Sequence, residues 1–180
     1  MCFYIGNNDF TFCDPPLSQG TVSLNERSDN VEMCDFGIFT KRFYREDTTA
    51  YDAFAKTDHA VSEIRFRGLD TDTFKRILLT PTKITLETFD DDGLNSEDGG
   101  AQIGLFTQGR VWSGAEPWES RYIAEYEVDD EFVLRVESSS IDLYKNGVSI
   151  YSFANPGGQT SLFGSIWLYS LGSSLEATVN

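Results

Sequence analysis

Trp112, Trp118 and Tyr122 lie close together in the chain, with Arg110, Glu116 and Arg121 interleaved. Flat aromatic faces cover the apolar faces of sugars, and neighbouring charged groups reach hydroxyls, so this stretch suits ligand contact. The same rings also serve as ordinary half-buried packing groups. A second candidate is Asp90-Asp91-Asp92-Gly93-Leu94-Asn95-Ser96-Glu97-Asp98-Gly99-Gly100. Calcium takes six to eight hard oxygen ligands, roughly what Asp90, Asp92, Asn95, Glu97 and Asp98 offer. Leu94 occupies the third ligand place of an EF-hand, however, and the closing glutamate is misplaced. Blocks of like charge usually sit in solvent, so an exposed acidic loop without a cofactor is the favoured reading.

Nucleophilic and zinc chemistry find little here. His59 is the single histidine, and no nucleophile motif surrounds it. Cys2, Cys13 and Cys34 lack, with His59, the close-paired spacing of a zinc site. An odd cysteine count suggests synthesis in a reducing compartment. Gly99-Gly100 and Gly157-Gly158 read as turns rather than phosphate cradles.

The elements that must position these residues are strands. Ile141-Asp142-Leu143-Tyr144-Lys145-Asn146-Gly147-Val148-Ser149-Ile150-Tyr151 centres on Asn-Gly, which favours a two-residue type I′ hairpin turn. Pairing outward sets Lys145 against Val148, Tyr144 against Ser149 and Leu143 against Ile150. Ser62 to Gly68 alternates, with Ile64 and Phe66 inward and Glu63, Arg65 and Arg67 outward. Further strands are expected over Phe36 to Thr40, Phe74 to Leu79, Lys83 to Phe89, Ala101 to Phe106, Tyr122 to Glu127, Phe132 to Val136, Leu162 to Leu168 and Leu175 to Val179. Trp112 to Tyr122 mixes a loop with aromatics. Thr48 to Ala60 has helical spacing at Ala50, Phe54 and Ala55, but Asp52, Thr57 and Asp58 weigh against a helix. Phe3-Tyr4-Ile5 and Phe10-Thr11-Phe12 flank a short turn. These patterns divide the chain into a β-rich N-terminal extension, residues 1–35, and a main domain, residues 36–180. Strands recurring at short intervals imply an all-β, antiparallel two-sheet sandwich or jelly roll.

Composition bounds the partners. The 180 residues are 40% hydrophobic, enough for one well-filled domain. A net charge of −15 disfavours nucleic acid and anionic membrane surfaces. No apolar run approaches a membrane span, and the N-terminus lacks the basic start and apolar stretch of a signal peptide.

Tyr126 through Phe153, with its Asp129-Asp130 turn, apolar strand and Lys-Asn-Gly hairpin, resembles concanavalin A-like (laminin-G-like) β-sandwich domains. The likeness extends more loosely over residues 36–180. It implies a jelly-roll sandwich, a fold shared by lectins, adhesion modules, glycoside hydrolases and virion fibre or capsid-decoration domains. Glu127-Val128-Asp129-Asp130-Glu131 is similar to the Glu-x-Asp-x-Glu strand of laminarinase-type glycosidases, whose retaining chemistry needs two carboxylates about 5–5.5 Å apart. Asp130 stands where an apolar anchor belongs, and the resemblance places Asp129-Asp130 in a turn. The leading expectation is a non-catalytic structural or adhesive module, with a virion or surface setting implied by the resemblance. It would act through other protein chains, using its N-terminal arm and an outer sheet face carrying Trp167 and Tyr169. A glycan-binding lectin, calcium-assisted or not, comes second and a glycoside hydrolase third.

Overall fold

The computed structural model describes residues 54–83, 100–114, 121–128, 130–169 and 173–180 in full, and the backbone alone of residues 3–6, 9–12, 26–27, 31–33, 38–41 and 53. The strands run β1 (Phe3–Gly6), β2 (Asp9–Phe12), β3 (Glu26–Arg27), β4 (Val31–Met33), β5 (Ile38–Lys41) and β6 (Ala53–Val61). They continue with β7 (Glu63–Gly68), β8 (Lys75–Thr80), β9 (Ala101–Phe106), β10 (Arg110–Ser113) and β11 (Arg121–Glu125). The last are β12 (Phe132–Val136), β13 (Ser140–Lys145), β14 (Val148–Ala154), β15 (Leu162–Leu168) and β16 (Ser174–Val179).

Two seven-stranded antiparallel sheets face one another. Sheet I has the order β11-β10-β9-β8-β15-β6-β3, and sheet II the order β14-β13-β12-β7-β16-β5-β4. β1 and β2 pair separately, Phe3 opposite Phe12. β3 and β4, within the segment read as an extension, form the last strand of sheet I and of sheet II respectively. Among the described residues no helix is long and apolar enough to cross a membrane.

Period-two alternation builds the core. Ile64 and Phe66 of β7, Ile77 and Leu79 of β8, Ile103 and Leu105 of β9, and Ile166 and Leu168 of β15 turn inward and join one buried cluster. Phe132 lies opposite Phe66 on the neighbouring strand, and the rings stack at 5.3 Å. Burying each such ring contributes about 1.5–3 kcal/mol. Gly164 must be small because an added Cβ would stand 2.8 Å from Ile64 of the facing sheet.

The Asn146-Gly147 turn forms as expected, with φ of 50° and 79°. Its register differs beyond the second pair. Lys145 faces Val148 and Tyr144 faces Ser149, but Leu143 faces Tyr151 because a β-bulge makes Ile150 the extra residue. The bulge brings Ile150, Tyr151 and Phe153 all against the core, more apolar contact than strict alternation allows. The helical spacing in Thr48 to Ala60 does not yield a helix over its described part: Ala53–Val61 is a strand held between β15 and β3. The expected strand at Lys83 to Phe89 lies, beyond Lys83, outside the described residues.

Candidate binding face

Sheet I carries aromatic side chains on its outer surface. Trp112 pairs with Gly104 on one side and with Tyr122 on the other. A bulge in β11 makes Ile123 the extra residue. Without it, Tyr122 would fall opposite Ser113 and turn the other way; with it, Ile123 packs on the core and Tyr122 joins Trp112 outside. The Trp112 and Tyr122 rings meet edge-on at 5.5 Å. The contacts continue from Trp112 to Phe106 at 6.4 Å, from Phe106 to Phe74 at 5.1 Å, and from Phe74 to Tyr169 at 5.9 Å. Gly104 lies beneath the Phe106 ring, where an added Cβ would stand 2.2 Å from ring carbon. Exposure rises toward the sheet edge: Phe106 is buried, Trp112 half-buried and Tyr122 45% exposed. Arg110, two residues before Trp112, leaves from the same outer face, whereas Arg121, opposite Ser113, leaves from the other; both are exposed.

Sheet II carries charge instead. Glu63 accepts from Arg65 Nε at 2.6 Å and from Arg135 Nε at 2.9 Å. Arg67 pairs with the fully buried Glu176. Arg135 also lies over the Tyr144 ring at 5.4 Å. Burial opposes ionisation of Glu63, but the hydrogen bonds and charges of Arg135 and Arg65 outweigh it and hold the carboxyl below its usual range. These groups satisfy one another.

Two further clamps fix the ends of the sandwich. Asp70 Oδ1 accepts from Thr73 N at 3.0 Å and lies 2.9 Å from Lys75 Nζ, while Oδ2 accepts from Ser174 N at 3.1 Å. Burial works against the Asp70 charge, and Lys75, Thr73 and Ser174 more than offset it, keeping the carboxyl low. Lys75 is itself wholly buried, and that desolvation pulls its ammonium below the ordinary lysine range despite Asp70. Tyr126 donates to Asp70 O at 3.0 Å; burial, then the charges of Asp70 and Asp72, push its phenol far upward. At the hairpin, Asp130 accepts from Asn146 Nδ2 at 2.6 Å and pairs with Lys145 Nζ at 2.8 Å.

That second clamp decides the carboxylate motif. Asp130 N donates to Glu127 O and Glu127 N donates to Asp130 Oδ2, closing a turn between β11 and β12. Glu127 and Glu131 therefore sit at the two ends of a turn rather than at alternate positions of one strand. Glu131 lies 3.5 Å from Arg65. The alternating geometry that motivated the glycosidase expectation is not formed.

Of the candidates, the fold brings Trp112, Tyr122 and Arg110 onto one face and sends Arg121 to the other; Glu116 and Trp118 lie outside the described residues, as do Asp90, Asp92, Asn95, Glu97 and Asp98. Trp112 is on a strand rather than in the loop expected, and Tyr122 falls on the strand expected to begin there. Trp167 lies on the outer face, as Ile166 and Leu168 inside require, yet it is 0% exposed. Its ring packs 4.9 Å from Phe54 and near Leu78, and its Nε1 donates to Ser165 Oγ at 2.9 Å. The surface it was expected to lend a second chain is occupied within its own chain, while Tyr169 stays half-buried. Reading by segment missed Phe74 and Phe106 as members of the strip. The available signal was Gly104, since glycine inside a strand marks close approach of a neighbour.

No family model matches the sequence, and no curated protein matches it. Solved structures do. A human SPRY domain superposes at TM-score 0.60 with 14% identity, covering 83% of this chain and 95% of that one. The fold is a concanavalin A-like β-sandwich. The PSpry domain of TRIM65 superposes on the sandwich at TM-score 0.54 with 10% identity, covering 85% of this chain and 86% of that one. The SPRY domain of human HERC1 does so at TM-score 0.51 with 12% identity, covering 83% and 92%. At these identities the likeness is one of fold.

Proposed function

We propose that this sandwich is a non-catalytic binding module that holds another protein through the Trp112–Tyr122 end of sheet I. The observation that carries this reading is the edge-on Trp112–Tyr122 pair, presented on the same face as exposed Arg110 on a chain of net charge −15. Tryptophan, tyrosine and arginine are the side chains that concentrate binding energy at protein interfaces, because each combines a large rigid contact area with a polar end. Phe106, itself packed on Phe74, holds the Trp112 ring from the neighbouring strand, so little rotamer freedom is lost on binding. The module would sit in a larger assembly, the virion or surface setting being what the sequence resemblance implies.

A glycan is the second reading, supported by the same exposed Tyr122 ring beside Trp112. Proteins from the natural source that bind the intact chain, and a glycan array, are compared with Trp112→Ala/Tyr122→Ala. A defined protein partner lost by the double variant, with thermal melting retained, is the expected result. Glycan binding lost in the same way moves the site to the second reading. Partners held equally by the double variant would overturn the assignment of this face.

A further inference from the structure

The two strands that end the sheets on one side of the sandwich are unlike. β11 ends sheet I and carries Arg121 at its start and Glu125 at its end. β14 ends sheet II and reads Val-Ser-Ile-Tyr-Ser-Phe-Ala, with no charge and no proline. Charge and proline are the usual means by which a protein keeps an open edge from pairing, because the unpaired N–H and C=O groups there are a template for another strand. β14 has neither. It is hydrogen-bonded to β13 on one side, and no described strand lies along the other.

We propose that β14 is a docking edge for an extended peptide of another protein, which adds to sheet II as a further strand. This surface is separate from the Trp112–Tyr122 face and does not depend on it. Backbone alternation sets the chemistry. The pair flanking a two-residue turn, Lys145 and Val148, exchanges hydrogen bonds, so beyond the bulge Phe153 points its backbone groups to β13. Ser152 and Ala154 then direct theirs to the open side. The bulge at Ile150 leaves Tyr151 to Ala154 as the regular stretch for pairing.

Side chains select what docks. Ile150, Tyr151 and Phe153 are half-buried against the core, and Ile123 of β11 reaches the same core from the other sheet. An incoming strand with alternate apolar residues covers this row while its amides pair with Ser152 and Ala154. Charge chooses between a foreign peptide and a second copy. The chain is at −15, and Glu125, Glu127 and Glu137 are exposed. A second copy is repelled, whereas a neutral strand with basic ends is attracted.

The probe is a labelled peptide of about nine residues, alternating valine and threonine with a lysine at each end. Anisotropy is expected to show saturable binding to the intact chain. Methylating every second peptide amide on the pairing side is expected to weaken it about tenfold or more, the cost of roughly one lost hydrogen bond. Ser152→Pro removes the outward N–H and is expected to act likewise. The methylated peptide makes the same point without altering the protein, should that variant fold poorly. Hydrogen exchange is expected to slow at Ser152 and Ala154 when the unmethylated peptide is added. No binding by about 1 mM peptide, or equal binding of the methylated form, overturns the proposal. A dimer of the chain that Ser152→Pro dissociates also overturns it, by making a second copy the occupant.

Discussion

The outer faces of the two sheets arise from the same alternation and end in opposite chemistry. Sheet II places Glu63, Arg65, Arg67, Arg135 and Glu176 where they neutralise one another. Sheet I places Tyr122, Trp112, Phe106, Phe74 and Tyr169 in one line of ring contacts that is buried at Phe106 and most exposed at Tyr122. A charged face whose groups are already paired has little to offer a ligand, since any new contact must first replace an internal one. An aromatic face that ends half in water has apolar area left to bury. Surface polarity alone is therefore a poor guide to where this protein binds.

The largest expected effect that separates the faces is acid. Glu63 and Asp70 have folded-state carboxyls held below their ordinary values, so the stability they contribute is complete above about pH 5 and is lost as pH falls through the range below about 4. Chemical denaturation at stepped pH is expected to show that loss, and Glu63→Gln is expected to make the acid limb shallower. The Trp112–Tyr122 pair carries no carboxylate.

Next is Glu63→Ala, which leaves Arg65 and Arg135 facing each other over a nearly buried position. A loss of about 2–3 kcal/mol is expected by urea denaturation, with binding at Tyr122 unchanged. A loss under about 0.5 kcal/mol would mean that the ionic face is only a solvated surface. Gly104→Val follows. Its added carbons displace the Phe106 ring, and a cost of about 1–3 kcal/mol is expected together with changed Trp112 fluorescence. Here binding falls as well, because the ring packed against the edge of Trp112 has moved. The smallest stability effect belongs to Tyr122→Ala, expected within about 0.5 kcal/mol of the parent because the ring is half in solvent. Its effect on partner affinity is expected to be the largest of the set, about tenfold or more. Equal binding by this variant would erase the functional difference between the faces.

Much of the fold was legible because short-range chemistry dictates it. Asn146-Gly147 announced a hairpin, and the inward rows at Ile64/Phe66 and Ile166/Leu168 followed from period two. The resemblance placed Asp130 in a turn, and its bonds to Glu127 and Asn146 fit that placement. The site was half legible. Trp112, Tyr122 and Arg110 stood out by type, but Phe106 meets Trp112 only through the β9–β10 pairing, and Phe74 joins Phe106 from far back in the chain. Arg135 likewise meets Glu63 only because β12 lies beside β7.

By itself the sequence determined most of the strands, the main hairpin, the inward rows and hence the two-sheet class, because these depend on alternation and turn geometry within a few residues. Only the tertiary structure decided the two bulges, which turn Tyr122 outward and slide Tyr151 opposite Leu143. Only it decided that Trp167 is covered while Tyr122 is not. Alternation says which side of a sheet a side chain leaves from. What covers that side is set by segments far along the chain, whose packing the local pattern does not encode.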